Sequence, residues 1–403
     1  MDQYLPASPD ELNAWLRLTL EPDLTPGQAR TLLAAIGLPQ HIYEASAGTL
    51  SKYVPAPIAA QMRQDPAPEI TERIQATLEW LKTPGHHVLT LADPHYPAAL
   101  LALHDPPLLL YVNGKLECLN RPALAVVGAR NATPGGRDNA RAFARHLAER
   151  GWCIVSGLAH GIDAAAHEGA LQAGESAGGT IAVMATGIDV VYPAANLKLA
   201  HRIVQHGALI TEYPLGTPSM PYQFPQRNRI VAGLAKGVLV VEAARQSGSL
   251  ITARLATETG REVFAIPGSI HSPLSRGCHA LIRQGAKLVE SGQDIDEEMG
   301  LPASNNPAQS MMDMAAPGRA ASVDAAAKRR TEIMESGMEA DAQTGAEPGD
   351  PVLAALGHDP ADTDTLQARC GLPADALNAA LTQLELDGSI HRLADGRWQR
   401  GSG

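Results

Sequence analysis

The stretch that decides the fold is 123–131, ALAVVGARN, in which a short apolar run ends in a glycine loop. The same arrangement returns in 152–163 (WCIVSGLAHGID), 180–189 (TIAVMATGID) and 237–249 (GVLVVEAARQSGS). Each run is nearly continuous in apolar residues, which is typical of a strand buried on both faces of its sheet. A helical pattern follows each loop, so the four segments predict parallel strands whose loops gather at one edge of a sheet.

The alternation of strands and helices extends over residues 121–290. Predicted strands are 123–127, 152–155, 180–185, 208–211, 237–242, 262–266 and 287–289. Predicted helices are 136–150, 162–173, 196–206, 226–235, 248–259 and 277–285. This pattern predicts an α/β fold with a doubly wound, extended Rossmann-like parallel sheet. Two further apolar runs, His87–Leu91 and Leu108–Val112, are expected to extend that sheet.

Four regions follow from the changes in pattern. Residues 1–83 predict a small helical domain, with Thr25-Pro26-Gly27 as one helix start, and 84–299 the Rossmann-like domain. The pattern of 1–83 is typical of sterile-alpha-motif-like or helix-hairpin-helix modules, and equally of other small helical bundles. The segment 300–350, rich in Ala, Met, Ser, Gly and Pro, predicts a disordered linker. Residues 351–403 predict three helices and a hairpin, which is the pattern of a winged helix.

Length and composition point to a protein of two or three domains in a reducing compartment. The chain has 403 residues, of which 45% are hydrophobic and 4% aromatic. Its four cysteines form no C-x-x-C pair, and Cys153 lies in an apolar strand, so neither a disulfide framework nor a zinc site is expected. No signal peptide or membrane span is predicted, and a cytoplasmic location is expected.

The net charge of −11 is unevenly distributed along the chain. Residues 121–289 hold 17 Lys and Arg against 10 Asp and Glu, whereas the segments on either side are acidic. The basic region is therefore the one that carries the glycine loops. This distribution is compatible with phosphate binding in a chain that is acidic as a whole.

Helix starts, glycine amides and two arginines make the loop edge a predicted anion site. The most distinctive cluster is 224–234, FPQRNRIVAGL, in which Arg227 and Arg229 flank Asn228. In a structural interpretation Arg227 pairs with Glu212 or Glu242 while Asn228 bonds loop carbonyls. In a functional one the guanidiniums clamp phosphates. We expect both interpretations to apply, with at least one of the two arginines stabilising the fold.

Enzyme chemistry has little support in the sequence. No G-x-G-x-x-G follows Gly128, and the second strand ends in Ser156 where a dinucleotide-binding fold needs an acidic residue. No G-x-S-x-G nucleophile elbow follows a predicted strand, since Gly174–Gly178 (GESAG) precedes one, and no metal-ligand cluster is present, so neither a catalytic residue nor a cofactor is predicted. Asp163 is expected to brace its loop, and His167 to face a neighbouring helix, rather than to act in catalysis.

The ordered motifs VVGARNATPGG, VSGLAHGIDAAAHEGAL, TIAVMATGIDVVYPAAN, FPQRNRIVAGLAKGVLVVEAARQSGSLITARLA, VFAIPG and GCHALIRQGAKLV resemble the DNA-processing protein A (DprA, or Smf) family. The resemblance covers about residues 90–300, including the upstream YPAALLALHDPPLLLYVNG. It implies a non-enzymatic protein of natural transformation that binds and shields incoming single-stranded DNA, forms a homodimer and helps to load a RecA-type recombinase.

Carried onto this chain, the resemblance also implies positions for the two surfaces. The DNA groove would contain Gly128, Arg130, Ser156, Gly157, Arg227, Asn228, Arg229, Ser247, Gly248 and Ser249. The dimer surface would fall on the last helix and strand of the domain, with Leu281, Ile282 and Leu288. Burial of these three side chains within one subunit explains the pattern equally well.

Departures from the family pattern qualify this picture. Many relatives carry a basic residue after the Tyr-Pro of the third loop, where this chain has Ala194 and Ala195, and Lys198 or Arg202 is a candidate substitute. The turn at 175–179 is also longer. The third helix of the winged-helix region is acidic and lacks Lys and Arg, so that region is expected to contact protein, or DNA only through the wing residues Arg392, Arg397 and Arg400.

Two other functions remain open at this stage. An enzyme acting on a small phosphorylated nucleotide would use the same amide-lined edge and would show saturable mononucleotide binding. An adaptor would instead recruit recombinase or competence proteins through its acidic terminal regions, with DNA binding incidental.

Overall fold

A computed structural model describes residues 8–300, 350–357, 360–393 and 395–401. The chain begins with a group of short helices: α1 Pro9–Leu20, α2 Pro26–Ile36, α3 Pro39–Glu44, α4 Ala47–Leu50, α5 Ala56–Met62 and α6 Pro68–Trp80. Local signals set their starts, as at α2, where Thr25 and Gln28 form a reciprocal capping box and Pro26 occupies the first turn. The predicted helical character of this region, and the helix start at Thr25, are confirmed.

The described residues that follow build a nine-stranded sheet. Its strands are β1 His86–Thr90, β2 Leu109–Gly114, β3 Ala123–Val127, β4 Cys153–Ser156, β5 Thr180–Val183, β6 Ala208–Thr211, β7 Gly237–Val240, β8 Glu262–Ala265 and β9 Lys287–Leu288. The spatial order is β1-β2-β6-β5-β4-β3-β7-β8-β9. Strands β3 to β9 are parallel to their neighbours, whereas β1 and β2 join antiparallel at the β6 edge. The doubly wound α/β fold and its added edge strands are confirmed.

Helices cover both faces of this sheet. They are α7 Ala98–Leu101, α8 Pro134–Glu149, α9 Ile162–Gln172, α10 Leu197–His206, α11 Gln223–Leu234, α12 Ser249–Glu258, α13 Arg276–Arg283 and α14 Gly292–Met299. Alternate residues of β3 point to opposite sides: Ala125 joins the core beneath α11 and α12, while Leu124 and Val126 join the core beneath α8 and α9. Burial on both faces explains why the strands are almost continuously apolar.

The antiparallel end of the sheet is covered by the N-terminal helices. Trp15 and Leu16 of α1 and Ile74 of α6 pack in one cluster with Leu109 and Tyr111 of β2. The helices and the sheet belong to the same compact unit. A domain boundary between residues 83 and 84 stays a prediction.

The order of the strands determines where a ligand can approach. From β3 the chain moves outward to β4, β5 and β6, and then returns to place β7 on the other side of β3. Loops at the carboxyl ends of β3 and β7 therefore diverge at a topological switch point, the usual ligand-binding position of open α/β sheets. The predicted meeting of the glycine loops at one edge follows from this parallel pairing.

A second compact unit contains the C-terminal elements α15 Pro351–Leu356, α16 Thr363–Cys370, α17 Ala374–Leu386, β10 Ile390–Arg392 and β11 Trp398–Arg400. Strands β10 and β11 form an antiparallel hairpin, and its Trp398 packs with Leu366, Leu377 and Leu381 in a small core. Three helices and a hairpin are the predicted winged-helix arrangement. The predicted linker 300–350 lies mostly outside the described residues, which omit 301–349.

Candidate nucleic-acid interface

The loop after β3 is fixed by its neighbours in the sheet. The Ala129 amide donates to the Glu242 carbonyl oxygen at 2.7 Å, and the Ile162 amide donates to the Ala129 carbonyl oxygen at 3.2 Å. At Gly128 a Cβ atom would lie 2.6 Å from Ile162 Cγ1 and 2.8 Å from the Glu242 carbonyl oxygen. Glycine is therefore required there for close packing. The next side chain, Arg130, is exposed to solvent.

Arg130 lies beside two aromatic rings. Its Cζ atom is 5.3 Å from the centroid of the Phe224 ring, and the Tyr192 ring centroid is 5.6 Å from that of Phe224. Tyr192 is 51% exposed, and Phe224 is half-buried. We call Arg130, Tyr192 and Phe224 the aromatic rim. A cation beside exposed ring faces offers one group for phosphate and others for bases.

Neither aromatic residue of the rim was predicted from the sequence as a site residue. Each directly precedes a proline, in Tyr192-Pro193 and Phe224-Pro225, at the start of a segment that leads into a helix. Aromatic residues make up only 4% of the chain. Their presence at the carboxyl edge, one in a loop and one in the first turn of α11, was a signal that could have been used.

An internal carboxylate occupies the loop after β4. Asp163 Oδ2 accepts hydrogen bonds from the amides of Gly157 at 3.0 Å and Ala159 at 3.3 Å. Burial raises the pKa of Asp163, while Arg227 and the two amides oppose that shift. The expectation that Asp163 braces its loop is confirmed. The amides of Gly157 and Ala159, which lie at the predicted anion site, already have Asp163 as their acceptor.

Ser156 and Gly157 are buried beneath the surface of this loop. Ser156 Oγ donates to the Val126 carbonyl oxygen at 2.7 Å, and a Cβ atom at Gly157 would lie 2.4 Å from the Arg227 guanidinium. DNA contact by Ser156 and Gly157 therefore stays a prediction without support from their position.

His167, which the sequence analysis expected to face a helix, instead contacts a strand. Its Nδ1 lies 2.8 Å from Thr180 Oγ1, whose own proton goes to the Ile154 carbonyl oxygen at 2.7 Å. The hydroxyl therefore accepts, and His167 Nδ1 carries the proton. Burial lowers the pKa of His167 to about 3.

Arg227 is 4% exposed, and its guanidinium serves the fold. Its Nη1 donates to the Gly157 carbonyl oxygen at 2.6 Å and also to the Val183 carbonyl oxygen. Burial lowers the pKa of Arg227 to about 10, and the nearby Asp163 carboxylate acts in the opposite direction. The pairing of Arg227 with Glu212 or Glu242 is wrong, because its hydrogen-bond acceptors are main-chain oxygens.

Arg229, rather than Arg227, forms the ion pair with Glu212. The two side chains meet through two N–O contacts of 2.7 Å each, and Arg229 Nε lies 2.8 Å from Asp105 Oδ2. Both arginines of the 224–234 cluster thus have protein partners. Their predicted contact with DNA stays untested, and their positions favour the structural interpretation.

A second carboxylate fills the start of α8. A Cβ atom at Gly136, in the first turn of that helix, would lie 2.3–2.6 Å from the carboxyl group of Glu242. A negative side chain at this position stabilises the helix N-terminus as a bound anion would. The carboxyl group of Glu242 therefore lies against this helix start, which is one of those that the sequence predicts to favour an anion.

The loop after β7 carries three predicted groove residues at different depths, with Gly248 exposed, Ser247 half-buried and Ser249 buried. Gly248 is exposed, and Ser247 Oγ lies 2.8 Å from Ser249 Oγ. Asn228 Nδ2 donates to the Gly248 carbonyl oxygen at 3.4 Å, as expected for a side chain that bonds loop carbonyls. This loop follows β7, and Arg130 of the aromatic rim follows the adjacent parallel strand β3. Tyr192 and Phe224 follow β5 and β6, which run parallel to each other in the same sheet. The loop and the rim therefore lie at the same carboxyl edge.

The remaining predicted residues lie on helices and on the last strand. Lys198 is exposed in the first turn of α10, which makes it available as the substitute cation. Leu281 and Ile282 of α13 pack against the central core, whereas Leu288 of β9 is 50% exposed. Their role in dimerisation stays a prediction.

Within the part of the chain that the structure describes, no group of three or more His, Cys, Asp or Glu side chains could hold a metal ion. No helix among those residues is both long and apolar enough to cross a membrane.

Comparison with known proteins gives the family. The model of the DNA recombination-mediator protein A family matches residues 87–300, and that of the DprA winged helix domain matches 337–396. The chain belongs to the DNA recombination-mediator protein A family. The winged-helix match agrees with the fold of the C-terminal unit.

Relatives of this recombination-mediator family include Protein Smf of Escherichia coli, 48% identical over 227 residues that span 56% of this chain and 60% of that protein. DNA processing protein DprA of Streptococcus pneumoniae is 49% identical over 217 residues, 54% of this chain and 74% of that protein. The X-ray structure of DNA processing protein A from Streptococcus pneumoniae superposes with a TM-score of 0.62 at 38% identity, covering 71% of this chain and 97% of that chain.

The family match contains every element of the candidate interface. Residues 87–300 include the aromatic rim, the β7 loop, Lys198 and the predicted dimer surface. The N-terminal helices, apart from their contact with the sheet, lie outside that match.

Proposed function

We propose that this protein binds single-stranded DNA along the carboxyl edge of its main sheet. The observation that carries the proposal is the aromatic rim, in which the exposed Arg130 lies over the Phe224 ring beside Tyr192. Aromatic faces bind bases only where those bases are unpaired, so the rim favours single strands over duplex. Arg130 and the Ser247–Ser249 loop supply donors for phosphates, which position a strand without reading its sequence.

The two internal carboxylates argue against a small-nucleotide enzyme. Asp163 and Glu242 occupy the loop amides and the helix start at which a mononucleotide phosphate would otherwise bind. A negatively charged ligand would have to displace these two carboxylates. A polymer that lies across the outer rim avoids both groups, so the structure favours polymer binding.

The cellular role is inferred from the family. Its name as a DNA recombination mediator supports a protein that shields incoming single-stranded DNA in natural transformation and helps to load a RecA-type recombinase. We further propose a homodimer through α13 and β9, with Leu288 at its centre. The acidic α17 is proposed to bind protein rather than duplex DNA, because Asp375 and Glu385 are exposed on it and would repel phosphates.

A titration of the full chain with single- and double-stranded oligonucleotides at two salt concentrations tests this function. Single strands are expected to bind more tightly, with an affinity that falls steeply as salt rises. In Arg130→Ala the slope of log affinity against log salt is expected to fall by roughly 0.7, the value for one phosphate contact on a single strand. Equal affinity for duplex and single strand would contradict the proposal.

Two arginine variants serve as controls for that titration. Arg254→Ala removes an exposed cation of α12, 67% exposed at its side chain, and should leave the slope unchanged. Arg227→Ala should lower thermal stability, because it leaves two buried carbonyl oxygens and Asp163 without their partner. An Arg130→Ala slope equal to that of Arg254→Ala would remove Arg130 from the interface.

A further inference from the structure

The segment that joins β6 to α11 exposes apolar side chains that the proposed interface does not use. Met220 is 42% exposed, and Tyr222 is 59% exposed. Tyr222 directly precedes α11, and Phe224 of the aromatic rim follows two residues later, in the first turn of that helix. Met220 and Tyr222 therefore lie next to the rim in the chain. We call these two residues the β6 patch.

The β6 patch belongs to a concentration of exposed apolar side chains at one part of the sheet. Among the residues that the structure describes, ten large hydrophobic side chains are exposed. Four of these ten come shortly after β5 or β6, namely Tyr192, Leu197, Met220 and Tyr222. A single exposed apolar residue is ordinary, whereas a group of them at the carboxyl edge of a parallel sheet indicates a binding surface.

Hydrogen bonds hold the segment of the β6 patch in place at both ends. The Gly216 amide donates to Oδ1 and Oδ2 of Asp189, in the loop after β5, at 2.9 and 3.1 Å. At the other end the Met220 amide donates to Oε1 of the buried Gln223 at 2.7 Å. Turning the patch inward would break these bonds, so its exposure belongs to the folded state. A surface that is already formed binds a ligand without the cost of ordering a loop.

The chemistry of the segment fits an unpaired base. Residues 213–222, YPLGTPSMPY, contain no charged side chain, and Glu212 before them is paired with Arg229. A tyrosine ring and a methionine thioether present apolar, polarizable surfaces, against which any base can pack its π-face. Next to the patch, Arg130 over the Phe224 ring supplies a contact for phosphate. Continuity with the rim therefore favours the next nucleotide of a bound strand over a separate protein partner.

We propose that the β6 patch packs against a base of the same single strand, beside the base that stacks on the aromatic rim. Residues two positions apart on a helix do not face each other, so Tyr222 and Phe224 offer separate surfaces for separate bases. The proposal rests on the proposed function and deepens it. It adds a contact that carries no charge, and it leads the strand from the rim across the start of α11.

The first test measures the anisotropy of a labelled oligothymidylate of about 20 nucleotides with the full chain at two salt concentrations. Tyr222→Ala should weaken binding about tenfold at both concentrations, the effect expected for the loss of one stacked base. The slope of log affinity against log salt should not change, because stacking releases no counterions, in contrast to Arg130→Ala. Tyr222→Phe keeps the ring and should bind as the unmodified protein does. Tyr53→Ala, which removes an exposed tyrosine of the N-terminal region, is the matched control and should also leave binding unchanged.

A second arm tests whether the contact is to a base. It uses a strand of the same length whose sugars carry no bases, so that phosphate contacts remain and stacking is removed. Tyr222→Ala and Tyr53→Ala should bind this abasic strand equally. A tenfold loss in Tyr222→Ala on the abasic strand as well would overturn the proposal, because the substitution would then act through the phosphate contacts.

The outcomes separate this proposal from the proposed function. If Tyr222→Ala binds the oligothymidylate as Tyr53→Ala does while Arg130→Ala lowers the salt slope, the β6 patch is rejected and the proposed function stands. If the unmodified protein binds duplex and single strand equally, the proposed function is rejected, and the β6 patch with it, because its ligand is an unpaired base.

Discussion

The carboxylate of Asp163 accepts hydrogen bonds from two amides at the end of β4, and the carboxyl group of Glu242 lies against Gly136 at the start of α8. At the scale of single residues, these groups decide which loops remain available to a ligand. The β7 loop has no such occupant in the described residues, and Arg130 is directed to solvent. The burial of Arg227 beside an exposed Arg130 shows that a basic motif alone does not locate the surface.

His167 gives a residue-scale prediction on pH. Its pKa is about 3 in the folded protein and about 6.5 when unfolded, so below pH 6.5 the unfolded chain binds a proton that the folded chain rejects. Stability from this residue is complete above pH 6.5 and is lost as pH falls toward 3, by up to about 1.4 kcal/mol per pH unit. Urea unfolding between pH 4 and pH 7 should be less pH-dependent in His167→Asn, which keeps a donor toward Thr180. Equal slopes in the two proteins would contradict this assignment.

The strands agree most closely with the sequence prediction where all of their residues are buried. The predicted strands 123–127 and 208–211 agree with β3 and β6, because an uninterrupted apolar run bounded by glycine or polar residues leaves little freedom in position. Helix α14 was not predicted, because half of its eight residues, GQDIDEEM, are acidic. It begins with a capping box of Ser291 and Asp294, a local signal that the sequence contains. The contacts of Asp296 with His146 and Arg150 are visible only in the tertiary structure.

The candidate site was less predictable than the elements for the same reason. Which of Arg130 and Arg227 faces solvent depends on how α11 lies on the sheet, and neighbouring sequence does not encode this directly. The pairing of Tyr192 with Phe224 joins a residue of the loop after β5 to one in the first turn of α11. The sequence places these two arginines and two aromatic residues at one edge of the sheet, but it does not show which side chains they contact.

The winged helix gives a prediction at the scale of an element. Arg397 is paired with Asp395, and α17 carries Asp375 and Glu385 without a basic residue. Replacing Arg397 and Arg400 with Gln in the full chain is therefore expected to change duplex affinity less than about twofold. Anisotropy with a labelled duplex measures this. A loss of about tenfold would show that the wing binds duplex DNA.

The molecule as a whole carries its basic region between two acidic ones, and the proposed dimer would pair two such basic regions. Replacing Leu288 with Glu is expected to give a monomer by light scattering, because it buries a charge in the proposed contact. Leu101→Glu is the matched control, since Leu101 is 54% exposed on α7, at another part of the sheet unit. A dimeric Leu288→Glu protein, or a protein that is monomeric without any substitution, would reject this contact.

The anion held inside the β4 loop has a consequence for how binding begins. Because Asp163 already accepts hydrogen bonds from those amides, the loop keeps its conformation in the unliganded protein and needs no ligand to order it. Association can then proceed as a rigid-body encounter, free of the entropic penalty that accompanies coupled folding. For the single-stranded DNA proposed above as the ligand, such a surface would be formed before the strand arrives.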